Sequence, residues 1–432
     1  MMHVTEVRAW EVLDSRGFPT VEAEVCLDGG YTGSALVPAG ASKGSHEAVE
    51  LRDGDRRWLG KGVRKAVENI RYIIAPALKG LNADIREIDE VLLEMDGSPD
   101  KSRLGANAIL AVSIASCKAI SHARRMPLYR YIMEVAGASA LTIPTPMVNM
   151  ISGGLHASWN LDIQDLLIIP LGARSFRQAL DDVGAVYHTL RNLLSGKGFS
   201  TLLADEGGFS PRCGGCEEAI ELLLAAVEEC GLALGRDVAL AMDIAATHLL
   251  RGGRYMLRNE GLYLSSEEMV DYLSELCERY GIISLEDGCA EDDLDGWRIL
   301  TDRLGDKMQL VGDDLFATSL TRLKMGAERH IANSALIKPN QAGTVTETID
   351  AIKLCKELGY TPIVSARSGD TEDSFIADLA VGASVTQIKI GSISRSERTS
   401  KYNRLLRIED ELVGVASYHG GAALRLGHSP TR

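Results

Sequence analysis

Between residues 21 and 27 apolar and polar positions alternate strictly, Val21, Ala23, Val25 and Leu27 on one side and Glu22, Glu24 and Cys26 on the other. A period of two sets one face on a core and the other in water, so the segment predicts a strand in a small antiparallel sheet of two or three strands. The period then lengthens to that of helices. Val63, Ala66, Val67, Ile70, Ile74 and Ala77 share one face, and Ile85, Ile88, Val91, Leu92 and Met95 share another. Strands first and helices later predict an α+β domain. The two prolines within 141–146 cannot continue a helix and favour an extended crossing, which puts a domain boundary just before them: 1–138, then 139–432.

Past that boundary short apolar runs recur, each ending in a polar or charged residue: 238–243, 282–286, 310–313, 336–338, 363–365 and 388–389. They read as successive buried parallel strands. Amphipathic helices with start and stop signals lie between several of them, one from the Ser265/Glu268 capping box to Gly281 and one from Thr344/Glu347 to near Gly359. In a closed α/β barrel the strand C-termini face one shared site, which explains the charged residues there; an open doubly wound sheet would scatter them.

Composition adds limits. A chain of 432 residues, 45% hydrophobic and 25% charged, is ordinary for a folded globular protein of two domains. The net charge of -14 argues against nucleic acid or an anionic membrane as main partner, while leaving room for a small anionic substrate where cations converge. His3, Glu6, Arg8 and Glu11 interrupt the apolar residues of the N-terminus, unlike a signal peptide, and no apolar run approaches membrane-spanning length. With eight scattered cysteines, among them Cys117, Cys277 and Cys355 in apolar stretches, the expected location is the cytoplasm. Cys213 and Cys216 lack the second pair or histidines that zinc needs and read as a surface loop.

Candidate chemistry follows from the strand ends. Asp243, Glu286 and Asp313 end three strands; any one alone is by default a loop or capping acid, but three hard carboxylates on one rim suit magnesium, with Asp287 and Asp314 as spare charge to orient them. Lys338 and Lys389 end later strands. At a barrel rim a lysine can simply snorkel, yet opposite a metal site it serves as a base or anion clamp. Arg367 beside Ser368 makes a phosphate seat, or else a solvated surface arginine, and the Gly-rich loop 40–44 either closes over a ligand or is a plain turn.

Taken together, GASKGSHEAVELRDG (40–54), DEGGFSP (205–211), SLEDG (284–288), GDDL (312–315), KPNQAGT (338–344), ARSGDTEDSFIADLAVG (366–382) and IKIGSISRSER (388–398) resemble enolases across nearly the whole chain. The resemblance implies a capping α+β domain followed by a modified (β/α)8 barrel, dehydration of 2-phosphoglycerate to phosphoenolpyruvate, two magnesium ions and a homodimer. It implies Lys338 as general base and Glu206 as general acid, Asp243, Glu286 and Asp313 on the first magnesium, and Ser42 on the second. Arg367 and Ser368 would take the phosphate, Lys389 the carboxylate, and His156 and Gln164 would line the pocket.

Several departures fall at the site itself. Ala366 stands where the motif has His, Asp165 where it has Glu, Leu155 for Glu, Ser158 for Asp, and Lys43 for Thr. A methyl in place of an imidazole opens space near the phosphate seat and Lys43 adds charge, so a larger and more anionic phosphoryl group is expected. Asp165 withdraws its charge by roughly one methylene, enough to alter a hydrogen bond with a useful range of about 2.6–3.2 Å. These changes resemble the enolase relative that forms carboxyphosphonoenolpyruvate in phosphinothricin-type pathways, with a nucleotide-linked phosphonoformate as possible donor and Lys43 and the space at Ala366 receiving the extra carboxylate. An ordinary divergent phosphopyruvate hydratase is the alternative, and a non-catalytic binding protein on the same scaffold is a third.

Overall fold

Strand β1 (Val4–Leu13) pairs antiparallel with β2 (Pro19–Leu27), which pairs antiparallel with β3 (Thr32–Leu36), a meander of the expected kind. The computed structural model describes residues 2–41 and 44–424. Val21, Ala23, Val25 and Leu27 all point into the core, as their alternation requires. The sheet packs on the helix Ala106–Ala123. At Gly33 a Cβ would lie 2.3 Å from both the Ala115 carbonyl oxygen and the Ala119 nitrogen, so β3 reaches the helix only because that position carries no side chain. Contrary to the expectation that no segment approaches membrane-spanning length, this helix is long and apolar enough by composition, but 83% of it is buried inside the protein. The helical stretch 64–78 contains a π turn at Ile70–Ile74, whose wider turn gives the buried position to Leu78 and leaves the predicted Ala77 exposed.

The second part closes a barrel from β4 (Thr145–Ser152), β5 (Asp165–Ile169), β6 (Ala239–Asp243), β7 (Ile282–Glu286), β8 (Gln309–Gly312), β9 (Ser334–Ile337), β10 (Thr361–Ser365) and β11 (Gln387–Lys389). The six runs read from the sequence are six of these strands, mutually parallel in the order β6 to β11. Helices Ser266–Tyr280, with its capping box and left-handed Gly281, and Val345–Glu357, capped by Thr344, start where predicted.

One strand departs from the parallel expectation: β5 runs antiparallel to both β4 and β6. A parallel neighbour needs a helical crossover, and the chain between β4 and β5 supplies only the short turn Gly154–Ala157. Reversal has a functional consequence, because β5 begins where its neighbours end. Its first residue, Asp165, pairs with Asp243 on the shared rim.

The opposite half of the barrel is filled by Met147, Leu167, Ile169, Ala241, Val311, Leu336 and Ile363. At that end Gln309 also bonds Ser284 and Gln387, but the charged groups gather at the rim of the strand C-termini, and the first domain leans over it. There Ala39 bridges Gly369, the Ala48 amide donates to the Gln341 carbonyl at 3.1 Å, and Ser45 Oγ donates to Glu291 at 2.8 Å.

Candidate active site

Asp243 and Glu286 are the last residues of β6 and β7, Asp313 follows β8, Lys338 follows β9 and Lys389 ends β11. Barrel closure turns this sequence spacing into direct contact. Lys389 Nζ donates to Asp243 Oδ2 at 2.8 Å and to Glu286 Oε2 at 2.6 Å, and Lys338 Nζ donates to Asp313 Oδ2. Gln164 Nε2 donates to Asp243 Oδ2 and Gln341 Nε2 to Asp313 Oδ1, each at 3.1 Å. Burial pushes the Asp243 carboxyl up, but the Lys389 ammonium outweighs it and holds the group below the usual carboxylate range. Burial and the neighbouring Asp243 push Glu286 well above that range. Both lysines stay above their ordinary value, since the carboxylates they touch outweigh the cost of burying an ammonium.

The donor set suits magnesium: Asp243, Glu286 and Asp313 offer only hard oxygens. Glu286 Oε1 is buried and has no hydrogen-bond partner among the described residues, an expensive arrangement that a cation would relieve. The tightest acidic groupings among the described residues are different ones, Asp287–Asp313–Asp314 and His156–Asp165–Glu206, each with ligand atoms within 4.8 Å of one another. In the first, the two Asp287 oxygens already accept from the backbone amides of Asp313 and Asp314 at 2.9 and 2.8 Å. Asp287 therefore orients the β8 turn, and the strand-end triad remains the better ligand set.

The second grouping is an acid–base cluster. Ser152 Oγ donates to Asp165 Oδ1 at 2.6 Å, and His156 Nδ1 lies 3.4 Å from Asp165 Oδ2. Asn149 Nδ2, missed in the sequence, donates to Glu206 Oε2 at 3.1 Å. Burial pushes Glu206 up, but His156, Arg398, Lys389 and Lys338 together hold it below its ordinary value. For His156, burial is outweighed by Asp165 and Glu206, which raise it. Gly391, at φ +107°, lets the chain pass under Glu206, where a Cβ would lie 2.9 Å from the Glu206 carbonyl oxygen.

Arg367 and Ser368 lie buried beyond β10. The Arg367 guanidinium is gripped by Glu47 from the first domain, Nη1 to Oε2 at 2.9 Å and Nη2 to Oε1 at 3.1 Å, and Ser368 Oγ accepts the Ala41 amide at 2.6 Å. Arg398 braces the pair from behind by donating to their carbonyl oxygens at 2.6 and 2.7 Å. Neither Glu47 nor Arg398 was singled out by sequence reasoning, although both sit inside the matching motifs. Ser42 and Lys43 lie outside the described residues.

Ala366 corrects one expectation. The space beside it is a cavity of about 20 Å³ between the apolar Leu36, Ile114 and Ile376 and the polar Arg367, Asp370 and Lys401, room for roughly one water. That is too small for a carboxylate. The cysteine expectation changes as well: Cys216 is buried at the start of the helix Cys216–Glu229, and only Cys213 lies in a loop.

A barrel whose rim joins a carboxylate triad, two buried lysines and a Glu–His–Asp cluster defines a class of metal-assisted lyases. The family model for the enolase N-terminal domain matches residues 4–132, and that for the enolase C-terminal TIM barrel domain matches residues 140–426. The chain belongs to the enolase family, whose members are magnesium-dependent lyases.

Proposed function

We propose that the protein removes the proton beside the carboxylate of a 2-phosphoglycerate-type substrate and expels the β-hydroxyl as water, and that its specialised substrate is a phosphorus-modified analogue giving carboxyphosphonoenolpyruvate. The observation that carries the lyase reading is the pair of buried ammonium groups, Lys338 and Lys389, set against carboxylates at neighbouring strand ends. In this reading Asp243, Glu286 and Asp313 hold one magnesium ion and Ser42 a second. Magnesium bound there supplies the positive charge that makes the dianion beside a carboxylate accessible.

Lys389 orients the substrate carboxylate, and Arg367 with Ser368 receives the phosphoryl group, for which Glu47 must yield part of the guanidinium. Lys338, whose ammonium must first lose the proton that Asp313 helps it hold, takes the C2 proton; the C2–H electron pair, carried first by the dianion, then becomes the C2–C3 double bond as the C3–O bond breaks. Glu206 protonates the departing hydroxide. Because Glu206 is held ionised in the free site, it needs a proton source, and His156, within 4.8 Å of it and kept basic by Asp165, fills that role.

The specialised substrate is supported by Asp165, which stands at the rim where the family motif has Glu, and by Lys43 in the sequence, where the motif has Thr. The cavity beside Ala366 has no room for the extra carboxylate, which leaves Lys43 as the cation proposed to pair with it. Phosphorus NMR of the protein with magnesium and 2-phosphoglycerate, with and without cytidylyl-phosphonoformate, tests both levels. A carbon–phosphorus product formed only with the donor supports the specialised reading, and rapid phosphoenolpyruvate formation without it supports an ordinary phosphopyruvate hydratase. No turnover in either arm, together with an unaltered Lys338→Ala variant, would leave a binding protein.

A further inference from the structure

A second cavity of about 110 Å³ adjoins the rim, between the loop that carries His156 and Gln164 and the segment that follows Asp243. Its lining is unusual for a chain of net charge -14: Arg251, Arg258 and His248 face a single acid, Asp162. That acid is already engaged. Its two oxygens accept the backbone amides of Arg258, Asn259 and Glu260 at 2.9, 2.7 and 3.1 Å, tying the two loops together. The Arg258 side chain is exposed and its guanidinium has no hydrogen-bond or ion-pair partner among the described residues. The exposed Arg251 side chain donates, among the described residues, only to the adjacent Leu250 carbonyl, at 2.7 Å. His248 Nε2 is buried and likewise unpartnered among the described residues.

The rim of the cavity carries Trp159, a residue 39% exposed although Trp297 elsewhere is fully enclosed. Trp159 and the preceding Ser158 both hold left-handed backbone, at φ +60° and +55°, a costly arrangement for two consecutive side-chain-bearing residues. The Trp159 amide donating to the Gly154 carbonyl at 2.7 Å and Asn259 Nδ2 donating to the Trp159 carbonyl at 3.3 Å keep it there. The fold thus spends conformational energy to hold a partly exposed tryptophan beside two guanidinium groups and an imidazole nitrogen with no partner among the described residues.

A flat ring offers a stacking surface for any base, and guanidinium groups match phosphate oxygens in pairs. We propose that this cavity is a mononucleotide subsite, with phosphate at Arg251 and Arg258, His248 Nε2 on a phosphate or ribose oxygen, and the base against Trp159. Its purpose rests on the reading above, in which a nucleotide-linked donor reaches the rim; its chemistry rests on the cavity alone.

Calorimetric titration of the full-length protein in magnesium with CMP, AMP and inorganic phosphate tests it, alongside tryptophan fluorescence. Expected are binding of a mononucleotide at least about tenfold tighter than phosphate, and a further weakening of about tenfold or more in Arg258→Gln and in Arg251→Ala/Arg258→Ala. Quenching by the nucleotide should disappear in Trp159→Phe, and thermal melting confirms that each variant is folded. Absence of mononucleotide binding, binding unchanged in the folded arginine variants, or phosphate held as tightly as the nucleotide overturns the proposal. Wild-type elimination is followed in the same preparation. Nucleotide binding that obeys these variants without any elimination keeps the subsite and removes the lyase reading, and elimination without nucleotide binding does the reverse.

Discussion

Replacing Lys389 by Met removes one buried positive charge and keeps most of the side-chain volume. Asp243 Oδ2 and Glu286 Oε2, now 2.8 and 2.6 Å from the ammonium, are left facing each other across the gap. Removing one partner of a buried ion pair costs about 3–5 kcal/mol. With an unfolding entropy near 2.1 cal/mol/K per residue, that lowers the barrel's melting temperature by roughly 5–8 °C. The same two carboxylates are assigned to magnesium, so the ion should stabilise the variant more than the wild type, in which it must first displace Lys389. At a concentration of about one hundred times its dissociation constant the ion contributes about 2.7 kcal/mol. Differential scanning calorimetry of both proteins with EDTA and with a magnesium series measures each quantity. A drop below about 1 °C, or a magnesium increment no larger in the variant than in the wild type, refutes the reasoning that these groups form one charge-balanced metal site.

Three further outcomes are expected. Burial pushes the Asp89 carboxyl up to about 7 from 3.8, so the folded state binds its proton more tightly than the unfolded chain; stability falls as pH rises from about 4 to about 7, by at most roughly 4 kcal/mol, and Asp89→Asn should flatten that slope in melting curves at the two extremes. Gly33→Ala forces β3 away from the helix Ala106–Ala123 and should cost about 1–3 kcal/mol or more, read as a lower melting temperature of the first domain. Ala366→His should give no gain in 2-phosphoglycerate turnover, and an increase of about tenfold or more would instead favour the ordinary hydratase.

Periodicity and motif were enough for much of this molecule because they are local. Alternation at Val21–Leu27 meant a half-buried strand whatever the rest of the chain did, and the Ser265/Glu268 box satisfied its own helix terminus. The strand-end residues Asp243, Glu286, Asp313, Lys338 and Lys389 were legible because an α/β barrel converts a regular one-dimensional recurrence into a ring. Glu47 and Asn149 were not, because each takes its meaning from a partner far along the chain, Arg367 and Glu206.

The amino-acid sequence by itself therefore determined the element types, an α+β domain followed by a closed barrel, and the set of charged groups at one rim, which follow from side-chain period, chain-local hydrogen bonding and the recurrence of charged strand ends, while the capping role of the first domain came from the resemblance to enolases. The tertiary structure alone decided that β5 runs backwards and brings Asp165 to that rim, that the space beside Ala366 holds no more than about one water, and that Trp159, His248, Arg251 and Arg258 meet around one cavity. Those are consequences of packing, in which the chain's closure in space sets which distant groups share a low-dielectric environment, and no period along the sequence encodes that.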